Sequence, residues 1–113
     1  MHDARFWQAL DTLVAENEII IDRPRGTAHP RYPEERYLWD YGYLKGTRSG
    51  DGDGIDVWVG SLPERHVTGI ILTIDLLKRD SEMKILLGCS HDEMEHILST
   101  HNVGMQSAIL VKR

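Results

Sequence analysis

The feature that most constrains the fold is an almost continuous apolar run in the middle of the chain. The run extends from Val67 to Leu77 and contains a single charged residue. Such a run is typical of a strand that other layers cover on both faces, because a half-exposed strand alternates apolar and polar side chains. We therefore predict a long strand over residues 67–77 that is buried on both faces.

Other short segments have the composition of strands and are separated by turn-forming residues. β-Branched, aromatic or apolar residues predict strands over 18–22, 37–43, 55–59, 83–89 and 107–111. Prolines and a glycine interrupt regular structure over residues 23–36, and turns are expected at 49–54 and 60–64.

Two segments have the periodicity of helices. Over 3–16, with Asp3 as the expected N-cap and Asn17 as the stop, one face carries Phe6, Trp7, Leu10, Leu13 and Val14. A second helix is expected over 91–101, because Ser90 and Glu93 form an S-x-x-E capping box. The side chains of this helix that should face the core are Met94, Ile97 and Leu98.

Together these elements predict one α+β domain over residues 1–113, mainly β in content. About six short strands with a helix near each end favour a small barrel or strongly curved sheet, with the helices packed outside. A chain of 113 residues is long enough to bury one such core.

Length and composition exclude several classes of protein. With 41% hydrophobic and 27% charged residues, the chain is typical of globular and not of disordered proteins. A formal net charge of −5 opposes nonspecific nucleic-acid binding, and a single cysteine, Cys89, excludes an internal disulfide. No apolar stretch approaches the ~18 residues of a membrane span, and no signal-peptide core is evident. We therefore expect a cytoplasmic protein without a membrane partner.

The strongest local signal is the acidic segment from Asp51 to Asp56, which contains three aspartates and two glycines. Three carboxylates so close together repel one another unless a cation holds them, and Mg²⁺ prefers oxygen ligands. A hydrated surface turn is the alternative, since Asp-Gly is a common turn dipeptide. An EF-hand is excluded because its glycine and its twelfth ligand do not fall in register.

Other charged residues surround this segment in the sequence. The segment from Lys78 to Lys84 is either a charged hairpin tip or a source of further carboxylates and a cation for the same site. Ahead of the acidic loop, basic side chains concentrate at Arg23, Arg25, Arg31, Arg36, Lys45 and Arg48. Carboxylates that bind metal, combined with Arg and Lys, are the usual groups for phosphoryl transfer. The histidines at 91, 96 and 101 spread around their helix and are expected to be solvated.

These residues resemble the core of the soluble family I inorganic pyrophosphatases. That family carries a Y-x-x-N-Y-G-Y segment followed closely by D-x-D-P-x-D-V, and this chain matches both over 37–43 and 51–57, with Asp40 and Gly54 as departures. Weaker matches extend over residues 19–88. They are Asp22-x-Pro24 to the family's E-x-P, Arg31-Tyr32 to its K-Y pair, and the 80–84 segment to its second acidic segment ending in D-x-K.

The resemblance implies a small closed OB-like barrel of five to six strands that hydrolyses pyrophosphate with Mg²⁺. It implies that Asp53 acts on the attacking water, as base or orienter. The metal ligands it implies are Asp51, Asp53, Asp56, Asp80, Glu82 and, through water, Asp22. The phosphate-binding residues it implies are Arg31, Tyr41 and Lys84, which with Asp53 form the catalytic set. Arg36 is the substitute for a hairpin arginine that has no aligned counterpart.

The leading hypothesis is therefore an inorganic diphosphatase that acts on pyrophosphate or a closely related phosphoanhydride. We expect several Mg²⁺ ions per site, or Mn²⁺ in their place. We also expect the protein to assemble as a homo-oligomer. The alternative is a pyrophosphatase-like protein that binds metal and phosphate but turns over weakly. The missing hairpin, and the lack of a Tyr-Lys pair in residues 89–113, favour this alternative. A third hypothesis, an OB-type nucleic-acid module, is opposed by the net charge of −5.

Overall fold

The computed structural model describes residues 3–50 and 52–113, which form two helices and a six-stranded mixed sheet. The elements in chain order are α1 (Ala4–Glu16), β1 (Ile19–Arg23), β2 (Asp40–Leu44), β3 (Ile55–Val59), β4 (Val67–Asp75), β5 (Asp80–Leu87), α2 (His91–Thr100) and β6 (Gln106–Lys112). The predicted α+β, mainly β class is confirmed. No helix among these residues is long and apolar enough to cross a membrane.

The strands lie in the order β1-β2-β3-β5-β4-β6. All neighbouring pairs are antiparallel except β3 and β5, which are parallel. Among the described residues, β1 and β6 are the two edges and do not pair with each other, so hydrogen bonds do not close the sheet. The predicted closed barrel is corrected only in this respect: β1 and β6 are not joined, and one helix packs on each face of the sheet.

The sheet separates two buried clusters, because successive side chains of a strand point to opposite faces. On one face, Trp7 and Leu10 of α1 pack with Val57, Ile70 and Ile85. On the other face, α2 packs through Met94 and Ile97 against Trp58, Ile71 and Leu86. Each helix thus occupies its own side of the sheet, and the α2 side carries the polar residues described below.

The prediction for the central apolar run is correct for its first half and wrong for its second. Ile70 and Ile71 are buried on opposite faces, whereas Leu72 and Ile74 are 38% and 54% exposed. α1 packs against the beginning of β4 and leaves the end of that strand uncovered. The strand also ends at Asp75, whose carboxylate accepts hydrogen bonds from the N–H groups of Leu77 and Lys78 and forms a turn.

The two strands that flank irregular segments differ most from the predicted bounds. β2 begins at Asp40 and not at Tyr37, because residues 26–37 form a hairpin-like excursion with its own backbone hydrogen bonds. β5 begins at Asp80, three residues earlier than predicted, because its ladder with β4 extends to the Asp75–Asp80 pair.

The helix ends are set as the capping signals indicate, with one exception. Both hydrogen bonds of the Ser90–Glu93 capping box are present at the start of α2. Asn17 ends α1 and Asp3 is its N-cap residue, as predicted, but the Asp3 side chain makes no capping hydrogen bond. Phe6, expected on the buried face of α1, is 46% exposed because the core side of this helix is centred on Trp7 and Leu10.

Candidate functional site

A polar cluster lies on the α2 side of the sheet, where three adjacent strands place their side chains on one face. Lys84 of β5 lies directly beside Asp56 of β3 in the parallel pair. Glu82 is two residues before Lys84 and therefore shares its face of the strand. Tyr41 reaches the same place from β2. We call these four residues, Lys84, Asp56, Glu82 and Tyr41, the Lys84 cluster.

Hydrogen bonds from one ammonium hold the cluster together. Lys84 Nζ donates to Asp56 Oδ2 at 2.7 Å, to Glu82 Oε2 at 3.0 Å and to Tyr41 Oη at 3.0 Å. An ammonium has three donors, so these contacts use all of them. The Lys84 side chain is 6% exposed, compared with 30% for Asp56 and 18% for Glu82. The two carboxylates therefore lie between the buried ammonium and solvent.

The cluster determines which of its groups are charged near neutral pH. Burial disfavours the Lys84 ammonium, but its oxygen partners, above all Tyr41 and Asp56, outweigh this and raise its pKa. Burial also raises the pKa of Tyr41 above its ordinary value, against the opposing effect of Lys84. The site thus contains a protonated lysine and a neutral phenol, whose donors are engaged by oxygens of the cluster and would be the groups that an incoming anion competes for.

Aromatic side chains form the wall next to this cluster. The Trp58 ring meets the Tyr41 ring edge-on at 4.5 Å, and Tyr37 lies 5.8 Å from both rings. Trp58 Nε1 donates to His101 Nε2 at 3.1 Å, and the other ring nitrogen of His101 lies 3.0 Å from Gln106 Oε1. Burial, aided by the Lys84 charge, lowers the pKa of His101 to about 4. His101 is therefore neutral at pH 7 and not solvated as the sequence suggested.

Arg23 also lies at this wall, although sequence reasoning noted it only as one of several basic side chains. It is opposite Tyr41 in the β1–β2 ladder. Its Nη1 donates to Tyr37 Oη at 2.6 Å. The signal that would have identified it is the register of β1 against β2, which is not evident from local sequence.

The structure brings only part of the predicted metal-ligand set into direct contact. Asp56 and Glu82 meet at Lys84, whereas Asp51 lies outside the described residues. Asp53 is exposed in the loop before β3, and its carbonyl accepts hydrogen bonds from the Ser49 N–H at 2.6 Å and hydroxyl at 3.0 Å. No hydrogen bond or ion pair in the described structure joins Asp22 or Asp80 to the cluster, although Asp80 begins β5 on the same face as Glu82.

The predicted phosphate-binding arginines lie in the excursion between β1 and β2. Arg31 and Arg36 are both exposed, and Arg36 Nη1 donates to the Gly26 carbonyl at 3.3 Å. Within residues 3–50 and 52–113, no hydrogen bond or ion pair connects either guanidinium to the Lys84 cluster. Of the predicted phosphate-binding residues, the structure thus unites Tyr41 and Lys84.

The described residues contain no group of three His, Cys, Asp or Glu side chains arranged to hold a metal ion. Asp56 and Glu82 nevertheless direct one oxygen each at the same ammonium. A cleft of about 690 Å³ includes Glu82 of the cluster at its edge but is lined mainly by apolar side chains of the opposite face, among them Leu72, Ile74 and Ile109. We base the candidate site on the Lys84 cluster, because the cleft lacks its concentration of charged groups.

Comparison with known proteins agrees with this architecture. A family model described as inorganic pyrophosphatase matches residues 14–79. The matched segment includes Tyr41, Asp53 and Asp56, and it ends just before β5, the strand that carries Glu82 and Lys84. No curated protein matches the chain.

Three solved structures of inorganic pyrophosphatases are similar in fold. The Coxiella burnetii protein has a TM-score of 0.58 at 16% identity, covering 83% of this chain and 82% of that one. The Helicobacter pylori protein has a TM-score of 0.59 at 12% identity, with coverage of 83% and 81%. The Neisseria gonorrhoeae protein has a TM-score of 0.60 at 14% identity, with coverage of 95% and 90%. Identities this low show a likeness of fold.

Proposed function

This chain belongs to the inorganic pyrophosphatase family, and from that premise we propose that it hydrolyses inorganic pyrophosphate, or a closely related phosphoanhydride, in a Mg²⁺-dependent reaction. The observation that carries the proposal is the Lys84 cluster, in which a buried ammonium and a phenol lie beside two carboxylates. A substrate with several negative charges needs such cations and donors, and the carboxylates are ligands for the metal that accompanies it.

The carboxylates of the cluster fit a divalent cation in kind and in direction. Asp56 and Glu82 already converge on one positive charge, and carboxylate oxygens are the ligands that Mg²⁺ prefers. We assign Asp51, Asp53, Asp80 and, through water, Asp22 as the further ligands, as the resemblance implies. When bound, Mg²⁺ neutralises substrate charge and lowers the pKa of a bound water.

The residues of the chain then have distinct parts in the reaction. Lys84 and the neutral Tyr41 phenol donate hydrogen bonds to phosphate oxygens. Asp53 accepts a proton from the attacking water while the oxygen of that water bonds to phosphorus. The bond from that phosphorus to the bridging oxygen breaks, and the second phosphate leaves with the bridging oxygen. With Asp56 and Glu82 holding a cation, Lys84 would keep only Tyr41 as an acceptor, and its ammonium would be available to the substrate.

A second candidate function is the binding of metal and phosphate with weak turnover. The observation that favours it is the position of Arg31 and Arg36, which are exposed and have no contact with the Lys84 cluster among the described residues. Fewer cations at the substrate would leave more of its developing charge uncompensated and slow the reaction.

The decisive experiment measures phosphate release from pyrophosphate with and without Mg²⁺, for the purified protein and for Asp53→Asn. We expect Mg²⁺-dependent release that falls by at least about 100-fold in the variant, since proton transfer contributes about 10²–10⁴-fold. Asp3→Asn is the matched control, because Asp3 is exposed and its side chain makes no capping bond. Release no greater than that of Asp53→Asn would refute hydrolysis. Saturable Mg²⁺ binding in that event would support the second candidate.

A further inference from the structure

Arg23 occupies a position at the end of β1 that directs its side chain toward the Lys84 cluster. The ladder between β1 and β2 is irregular between Ile21 and Arg23, which leaves Arg23 opposite Tyr41. An irregularity of this kind inserts a residue and changes the direction in which the next side chain points, and it is common beside active sites. Here it places Arg23 on the same side of the sheet as Tyr41.

The guanidinium of Arg23 is partly buried and makes no hydrogen bond to a carboxylate in the described part of the chain. Its one hydrogen bond among these residues is donated to Tyr37 Oη, at 2.6 Å. None of the ion pairs among the described residues includes Arg23. A buried charge is normally paired, because transfer from water into a low-dielectric site is costly. A guanidinium has five N–H donors, so several of them can still bind an anion.

The Arg23 and Lys84 cations share one aromatic ring. Arg23 Cζ lies 6.0 Å from the centroid of the Tyr41 ring, and Lys84 Nζ lies 5.5 Å from the same centroid. Arg23 Cζ is also 5.7 Å from the Tyr37 ring. One of its N–H groups is used by Tyr37, and the remaining donors can form a bidentate contact with phosphate.

The two cations differ in how far their charge is neutralised. Lys84 is held by Asp56 and Glu82, whereas Arg23 donates to the hydroxyl of Tyr37 and forms no ion pair among the described residues. The neighbouring Asp22 acts on Arg23 only through its field, so an anion that enters beside Tyr41 meets the less neutralised of the two cations on the Arg23 side. Arg36, the substitute expected from the sequence, instead donates to the Gly26 carbonyl.

We infer that Arg23 is a phosphate-binding residue of this site and holds one phosphoryl group of the substrate beside Tyr41. The inference rests on the proposed function, since it assigns a residue to the substrate of the same reaction. Arg23 supplies a guanidinium to the site, whereas Arg31 and Arg36 make no contact with the Lys84 cluster in the described structure. Its ligand is a phosphoryl group, either of pyrophosphate or of the phosphate product.

The test compares Arg23→Gln with wild-type protein by calorimetric titration of inorganic phosphate in the presence of Mg²⁺, alongside KM for pyrophosphate. We expect the phosphate Kd and the KM to rise by at least about 10-fold, because a charge-assisted contact is lost. Arg23→Lys should recover part of the affinity. Arg5→Gln, at an exposed position of α1 on the opposite face of the sheet, is the matched control and should leave both constants within about 2-fold.

Two further measurements distinguish a role of Arg23 in phosphate binding from a purely structural role. Tyr37→Phe removes the hydrogen bond to Arg23 but not its charge, so the phosphate Kd should change far less than in Arg23→Gln. Equal effects in these two variants would assign Arg23 a structural role and overturn the inference, as would an unchanged Kd in Arg23→Gln.

If wild-type protein binds phosphate through Arg23 but releases none from pyrophosphate, the proposed hydrolysis fails and the binding role stands. Absence of phosphate binding by the wild type would overturn the inference.

Discussion

At the scale of single residues, the site depends on one buried ammonium. Lys84 is 5% exposed, yet it has three oxygen partners from three different strands. Such a group is stable only while its partners remain, because a lone buried charge costs several kcal/mol. Asp56 and Glu82 in turn depend on a cation, because without Lys84 or another positive charge their carboxylates repel each other.

This dependence predicts that Mg²⁺ can replace the lysine. Lys84→Met should lower the free energy of unfolding by about 2 kcal/mol without metal, since Asp56 and Glu82 lose their shared cation. Mg²⁺ should then stabilise the variant more than the wild type, because it no longer competes with the ammonium. Urea unfolding with and without Mg²⁺ measures both effects. Lys78→Met, in the exposed β4–β5 turn, is the control. Equal stabilisation by Mg²⁺ in variant and wild type would contradict metal binding at these carboxylates.

The buried imidazole gives a prediction about pH. Burial lowers the pKa of His101 from 6.5 to about 4, so the unfolded chain takes up a proton over a pH range where the folded protein does not. Stability from this residue is therefore complete above pH 6.5 and declines as pH falls toward 4, by at most about 3 kcal/mol. Urea unfolding at several pH values should show a shallower decline for His101→Phe than for wild type. The exposed Val103, two residues after His101, provides the control Val103→Ala, which should keep the wild-type slope because neither side chain titrates.

At the scale of elements, α2 is attached to the rest of the molecule through its first turn. Glu93 completes the capping box with Ser90 and also accepts hydrogen bonds from the Ser61 N–H and from Trp39 Nε1, the latter at 2.8 Å. One carboxylate therefore joins the start of α2, the turn after β3 and the residue before β2. The S-x-x-E pattern in the sequence predicts the cap, but the other two partners come from distant parts of the chain.

We expect Glu93→Ala to lower the free energy of unfolding by about 2–4 kcal/mol, because it removes a cap and leaves two N–H donors without their acceptor. Glu93→Gln should cost less, since an amide oxygen can still accept from the Ser90 N–H. Denaturant unfolding of both variants gives these values. Glu95→Ala is the matched control on the exposed side of α2, where loss of a surface ion pair with Lys112 should cost under about 1 kcal/mol. A cost for Glu93→Ala no larger than this would contradict the anchoring role.

At the scale of the whole molecule, the α1 face of the sheet is only partly covered. Leu72, Ile74 and Ile109 are 38%, 54% and 60% exposed, and they line the apolar cleft beyond the end of α1. β6 carries Ile109 and is an edge strand. Assembly of this chain into a homo-oligomer stays a prediction, and these exposed apolar side chains form a surface that such assembly would cover.

Local patterns in the sequence were sufficient for most elements. Helical periodicity predicted α1 and α2, and the bounds of β3 agree with the prediction over 55–59, because turn-forming residues confine that strand on both sides. The predictions were wrong where a distant element decides the outcome. β5 starts early because β4 pairs with it as far as Asp75, and Leu76 and Leu77 are exposed because α1 does not extend that far.

The sequence alone was sufficient for the class of fold, through its pattern of strands and helices, and for the likeness to inorganic pyrophosphatases, which implies Asp56, Glu82, Lys84 and Tyr41 as candidate site residues. Which of them meet was decided by the tertiary structure. The parallel pairing of β3 with β5 places Lys84 beside Asp56, and the register of β1 on β2 places Arg23 beside Tyr41. Register between strands depends on packing over the whole sheet and not on neighbouring residues, and for that reason Arg23 and His101 became evident only in the folded protein.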